Sequence, residues 1–203
     1  MPEATSQAPR SSGAEYVRLV ALPGGRSGAV TGAPLPSQVS SFVGRESELS
    51  EIVQVLRTHR LVTLTGVGGI GKTRLALAVA GELDGIFPDG VWVIELAPIA
   101  DPGLLPRGVA AAVGISERPG QSLTDTLAEV LRRRTALLVL DNCEHLIGAC
   151  AALAAALLQA CPEVKILTTS REVLGIVGEV GWPVPPLREA AQLFDERAAT
   201  TRP

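Results

Sequence analysis

The stretch Leu61–Ala80, LVTLTGVGGIGKTRLALAVA, limits the folds open to this chain more than any other. Leu61–Thr65 is a run of aliphatic and β-branched residues that reads as a buried strand. Gly66, Val67, Gly68, Gly69, Ile70, Gly71, Lys72 and Thr73 follow, at the spacing G-x-x-x-x-G-K-[ST] of a phosphate-binding loop. Leu75, Leu77, Ala78 and Ala80 then continue as a mostly apolar helix. A glycine-rich turn ahead of a helix is the plain alternative. The flanking strand and helix, which such a loop requires, argue against it.

The spacing has a chemical reason. A loop that wraps a polyphosphate must present several backbone N–H groups to it at close range, and residues without a Cβ permit this. The helix that follows points its N-terminus at the same anion. Lys72 has the reach for β- and γ-phosphates, and the Thr73 hydroxyl suits a place on Mg²⁺.

Composition sets the frame for this loop. A length of 203 residues accommodates one α/β domain with loose ends. Aromatic residues make up only 3%, so Ala, Val, Leu and Ile must build the core. The net charge of −3 and pI near 5.5 leave no overall basic footprint for direct nucleic-acid binding. The one basic cluster, Arg132–Arg134, reads as the solvated end of a helix, where cations suit the dipole. Cys143, Cys150 and Cys161 form no C-x-x-C pair and have no histidine at zinc-like spacing. Their odd number, with no secretory signal, points to a reducing cytoplasm. No apolar run has the length of a membrane span, and Ala149–Ala160 reads as a core helix.

Along the chain, residues 1–40 are rich in Ser, Gly, Pro, Ala and Thr and read as a disordered leader, with a brief apolar island at Tyr16–Leu22. Residues 41–187 read as a nucleotide-binding domain. A first helix carries Leu49, Ile52, Val53 and Leu56 on one face, and strands are expected at Val91–Leu96, Ala136–Leu140, Val164–Thr168 and Val180–Val184. Helices are expected at Gly108–Val113, after the Ser122/Asp125 capping box, and at Glu144–Ala160. Residues 188–203 hold one more helix, Arg188–Ala199. This alternation predicts an α/β P-loop NTPase fold of three layers, with a mostly parallel sheet between helices.

A phosphate loop needs a second group to hold its metal, and ligands of α/β sheets bind outside the carboxyl ends of the strands. Asp141, at the end of ALLVL, fills that role and completes a Mg²⁺ site with Thr73. Many ATPases of this type place a second acid directly after this aspartate; here the position is Asn142. Glu144 is a candidate base for water, or equally a cap for the following helix. Arg171, just past the strand KILTT, is a candidate sensor of the γ-phosphate, or a plain surface arginine. Binding of nucleotide is therefore better supported than its turnover.

The ordered set FVGRESEL, GVGGIGKTRLALAVA, VWVIELAPIADPGLL, LLVLDNCEHL and ILTTSRE resembles the nucleotide-binding domain of STAND-class, NB-ARC-like signalling ATPases. The variant it most resembles is that of large bacterial LuxR-type and SARP-type transcriptional regulators. The resemblance runs from about Ser41 to the C-terminus. It implies that Phe42–Glu46 lies against an adenine, with Val43 and Arg45 as base contacts, and that Arg171 is the first sensor arginine. It also implies a switch between a resting ADP form and an ATP form that self-associates. The family's Gly-x-Pro helical lid, winged helix and repeats do not follow Leu187, so the chain reads as a truncated or fragmentary member. The competing reading is a stand-alone P-loop ATPase or small-molecule kinase, although no arginine-rich lid segment is evident.

Overall fold

The computed structural model describes residues 45–186 and, ahead of them, the backbone of residues 19–21 and 33–34. In chain order the elements are β1 (Leu19–Ala21), β2 (Ala33–Pro34), α1 (Glu46–Thr58), β3 (Leu61–Thr65), α2 (Lys72–Leu83) and β4 (Val91–Glu95). There follow α3 (Leu105–Ala112), α4 (Leu123–Leu131), β5 (Ala136–Asp141), α5 (Ile147–Ala160), β6 (Val164–Ser170) and β7 (Glu179–Pro183). Val43 and the expected helix Arg188–Ala199 lie outside the described residues.

The strands form one sheet in the order β2-β1-β4-β5-β6-β3-β7. From β4 to β7 all pairings are parallel, whereas β1 joins β4 antiparallel. Two short strands thus fall within the stretch read as a leader. The phosphate-loop strand β3 is not beside β5. β6 lies between them, in register with both, so Ser170 stands opposite Thr65 and Thr168 opposite Leu140.

Side-chain alternation along each strand divides the interior in two. Val62, Leu64, Leu137, Val139 and Leu167 face α1 and α2, against Ile52, Leu56, Leu75 and Val79. Leu61, Leu138, Leu140, Val164 and Ile166 face α3, α4 and α5, against Val109, Leu127, Leu153 and Leu157. Every residue of β5 is buried, as expected of a central parallel strand covered on both faces. Each of these leucines contributes about 1.5–3 kcal/mol through burial.

Helix boundaries follow local chemistry. Ser122 caps α4: its Oγ accepts from the Asp125 N–H at 3.1 Å and donates to Asp125 Oδ2 at 2.7 Å. α3 begins earlier than the periodicity suggests, at Leu105, because Pro102–Leu104 forms a 3₁₀ turn capped by Asp101 and leads straight into it. α5 begins later, at Ile147, after a separate 3₁₀ turn at Cys143–His145. The turn is set off by Asn142, whose φ of 68° makes it the non-glycine residue of left-handed conformation among the described residues. Asparagine tolerates that region better than most side chains.

Arg132 and Arg133 are exposed past the end of α4, as the cluster predicts, and Arg134 stacks 5.8 Å above the Trp92 ring. The three cysteines are free and buried.

Candidate nucleotide site

β3 delivers the loop 66–71 at the carboxyl end of the sheet, and α2 leaves it. Gly66 adopts φ +150°, and a Cβ there would stand 3.2 Å from Ile70 Cγ2. Gly71 adopts φ +99° as the residue ahead of α2, a conformation that a side chain would strain. The Lys72 side chain is nearly buried and folds back over the loop. Its Nζ donates to the carbonyls of Gly66 at 2.7 Å and Val67 at 3.1 Å. The ammonium is therefore poised inside the loop's curve, where phosphate oxygens outcompete neutral carbonyls as acceptors.

Thr73 and Asp141 meet. The Thr73 hydroxyl lies 2.9 and 3.0 Å from the two Asp141 carboxylate oxygens. A hydroxyl and a carboxylate, both hard oxygen donors, suit Mg²⁺, which usually takes one or two protein ligands and completes its shell with water and phosphate. Among the described residues no group of three or more His, Cys, Asp or Glu could hold a metal by itself. The donor set fits a metal that arrives with its nucleotide.

Asp141 has a further partner that the sequence did not flag. Thr169 of β6 donates from its hydroxyl to Asp141 Oδ1 at 2.5 Å and accepts from the Asn142 N–H at 2.8 Å. Its only signal in the sequence is the change from apolar to hydroxyl residues along ILTTS.

Glu144 sits in the 3₁₀ turn. It does not cap α5, where Leu146 precedes the first turn and no side chain caps it. Its Oε1 pairs with Arg171 Nε at 3.5 Å, while its Oε2 is buried without a partner among the described residues. Arg171 itself is 70% exposed. It leaves β6 one residue after Ser170, as Gly66 leaves β3 one residue after Thr65, so the two emerge side by side.

Arg45, which the resemblance makes a candidate base contact, is 4% exposed. Its Nη2 donates to Ile70 O at 2.8 Å and to Pro185 O at 3.0 Å. Its Nη1 has no partner among the described residues and faces Gly71. The guanidinium thus braces the phosphate loop from behind. No sequence signal marked Pro185 as its partner.

Among the described residues no helix is long and apolar enough to cross a membrane.

Comparison with known proteins agrees with this geometry. The family model described as "Novel STAND NTPase 1" matches residues 36–180. An uncharacterized protein of Mycobacterium tuberculosis is 44% identical over 167 residues, 81% of this chain and 42% of the relative. A second protein of that organism, provisionally named an HTH-type transcriptional regulator, is 47% identical over 152 residues, 73% of this chain and 17% of its own length. The chain thus spans less than half the length of these curated relatives. Among solved structures, a STAND protein with a tetratricopeptide repeat sensor from Pyrococcus horikoshii aligns with a TM-score of 0.53 at 20% identity, over 80% of this chain and 26% of that one. That likeness shows the shared P-loop NTPase fold, and the family match over most of the chain settles its membership: this chain belongs to the STAND NTPases.

Proposed function

We propose that residues 41–187 bind ATP and ADP with Mg²⁺ and act as the nucleotide-dependent switch of a cytoplasmic signalling or transcriptional regulator, with slow or absent hydrolysis. The observation that carries this reading is the junction of Thr73 with Asp141, which joins the end of the phosphate loop to the end of β5. Lys72 neutralises β- and γ-phosphate charge, the loop N–H groups hold the phosphates, and Thr73 and Asp141 hold the metal. Bound Mg²⁺ offsets the charge of the β- and γ-phosphate oxygens.

Arg171 distinguishes ATP from ADP by exchanging Glu144 for the γ-phosphate. The pair is long, and the arginine side is solvent-exposed and free to turn. Val43 and Arg45 bound the adenine side, Arg45 by holding the loop and the chain beyond β7 together. Slow turnover is supported by Asn142 at the place of a second acid, which leaves Glu144 as the base. A relative named as a transcriptional regulator supports the placement of this module in a regulator. Self-association of the ATP form follows from the same family.

Calorimetric titration of the purified chain with MgATP and MgADP tests the reading. Binding of both is expected, and absence of binding by either at millimolar concentration overturns it.

A further inference from the structure

The connection from β6 to β7 is unusual in its economy. Both strands run parallel to β3 and flank it, so the chain must return from the carboxyl end of the sheet to the other end. Parallel crossovers commonly take a dozen or more residues and contain a helix. Here residues 171–178, between Ser170 and Glu179, do it without one. A helix would satisfy its own backbone N–H groups, and this segment cannot.

Glu179 satisfies them instead. Its Oε1 accepts from the Leu174 N–H at 2.7 Å, and its Oε2 accepts from the Gly175 N–H at 2.7 Å and the Ile176 N–H at 3.4 Å. The Thr63 hydroxyl of β3 also donates to Oε1, at 2.5 Å. That uses the only Thr63 proton, so the buried Thr168 hydroxyl of β6, 2.6 Å away, donates to Thr63. One carboxylate therefore collects four donors and ties the crossover to the phosphate-loop strand. Among the described residues no cation pairs with it. The crossover is fixed at a second point where Val173 lies over Gly181: a Cβ on Gly181 would come within 2.7 Å of Val173 Cγ1.

The first residue of this crossover is Arg171. We infer that Glu179, through the N–H groups of Leu174–Ile176 and the Thr63 hydroxyl, is the positioning residue that holds Arg171 for the terminal phosphate of a bound triphosphate. The inference rests on the proposed sensor role of Arg171. Glu179 touches no ligand itself; it limits the conformations from which the arginine acts, and so sets the preference for triphosphate over diphosphate.

The test is the ratio of MgATP to MgADP affinity, measured by titration calorimetry on the full chain. Arg171→Ala should lower that ratio about tenfold, the worth of one hydrogen bond to a charged group. Glu179→Ala should lower it by a similar factor with ADP affinity retained, and Glu179→Gln, which keeps one acceptor oxygen, should fall between. Gly181→Ala, which displaces Val173 and leaves the carboxylate intact, should shift the ratio in the same direction. If Arg171→Ala lowers the ratio and Glu179→Ala does not, the inference fails and the sensor reading stands. An equal loss of ATP and ADP affinity in Glu179→Ala, with the ratio kept in Gly181→Ala, marks a merely structural role and overturns it as well. If Arg171→Ala leaves the ratio unchanged, the sensor reading falls and takes the inference with it.

Discussion

The Thr169 hydroxyl donates to Asp141 Oδ1, so the carboxylate at the end of β5 is aimed by the strand that separates it from the phosphate loop. The Thr169 Oγ1 in turn accepts from the Asn142 N–H and fixes the left-handed turn that follows. Thr169→Val should remove both bonds and leave a part-buried N–H unpaired. A stability loss of about 1–3 kcal/mol is expected by denaturant titration. Nucleotide affinity should fall in Mg²⁺ and change little in EDTA. An equal fall in both would separate Thr169 from the metal.

Lys72 reaches loop carbonyls that are neutral, whereas a phosphate is an anion. Lys72→Ala should therefore weaken ATP binding by roughly 100-fold, the worth of a strong charge-assisted bond. The substitution also removes the two bonds to the Gly66 and Val67 carbonyls, so the thermal midpoint of the free protein should fall as well. Unchanged affinity by calorimetry would show that the loop is not the phosphate site.

Asn142→Asp keeps a side chain suited to the left-handed turn and restores an acid directly after Asp141. ATP turnover, followed by phosphate release, should rise over that of the parent chain. No increase would mean that Asn142 is not what limits hydrolysis.

Glu144→Gln removes the charge that faces Arg171 across 3.5 Å. Stability should change by less than about 1 kcal/mol, since the arginine is mostly exposed. Any hydrolysis the chain supports should drop. Hydrolysis equal to that of the parent would exclude Glu144 as the base.

The three thiols give a report on folding. Cys143, Cys150 and Cys161 are fully buried. The Cys143 thiol is pushed well up by its hydrogen bond with Cys150 and by burial, that of Cys150 is pushed down by the same hydrogen bond, and that of Cys161 is pushed up mainly by burial. A raised thiol holds less thiolate at neutral pH, and thiolate is the reactive form. Burial keeps the reagent from all three sulfurs, Cys150 included, so an aromatic disulfide reagent at pH 7 should label none of them quickly in the native protein and all of them in denaturant. Rapid labelling under native conditions would contradict the packing of α5.

What the sequence made legible was local. The Gly-x-x-x-x-Gly-Lys-Thr spacing, the apolar run that stops at Asp141, and the Ser122–Asp125 box are each patterns contained within a few consecutive residues. The strands followed the apolar runs to within a residue or two. Thr169 and the carbonyl of Pro185 were not legible, because each acts on a partner far away in the chain, and the same holds for the bond from Thr63 to Glu179, while the nearby N–H groups of Leu174–Ile176 carry no side-chain signal. The order of the strands, with β6 between β3 and β5, leaves no trace in periodicity. The start of α5 was misplaced for a different reason. Glu144 has high helix propensity, but the left-handed Asn142 ahead of it closes a 3₁₀ turn first. For Arg45 the resemblance implies a base contact, and the two carbonyls that its buried guanidinium engages carried no signal in the sequence.

That guanidinium has a mechanical consequence. Arg45 lies where the chain enters α1, Pro185 where it has left β7, and Ile70 in the loop between β3 and α2. One rigid, planar group is bolted to all three. A pull on the backbone at either flank therefore loads the loop directly, and a loop that tightens around an anion draws both flanks with it. Arg45 serves as a strut, and the stiffness of the phosphate grip and the tension in its flanking segments become a single quantity.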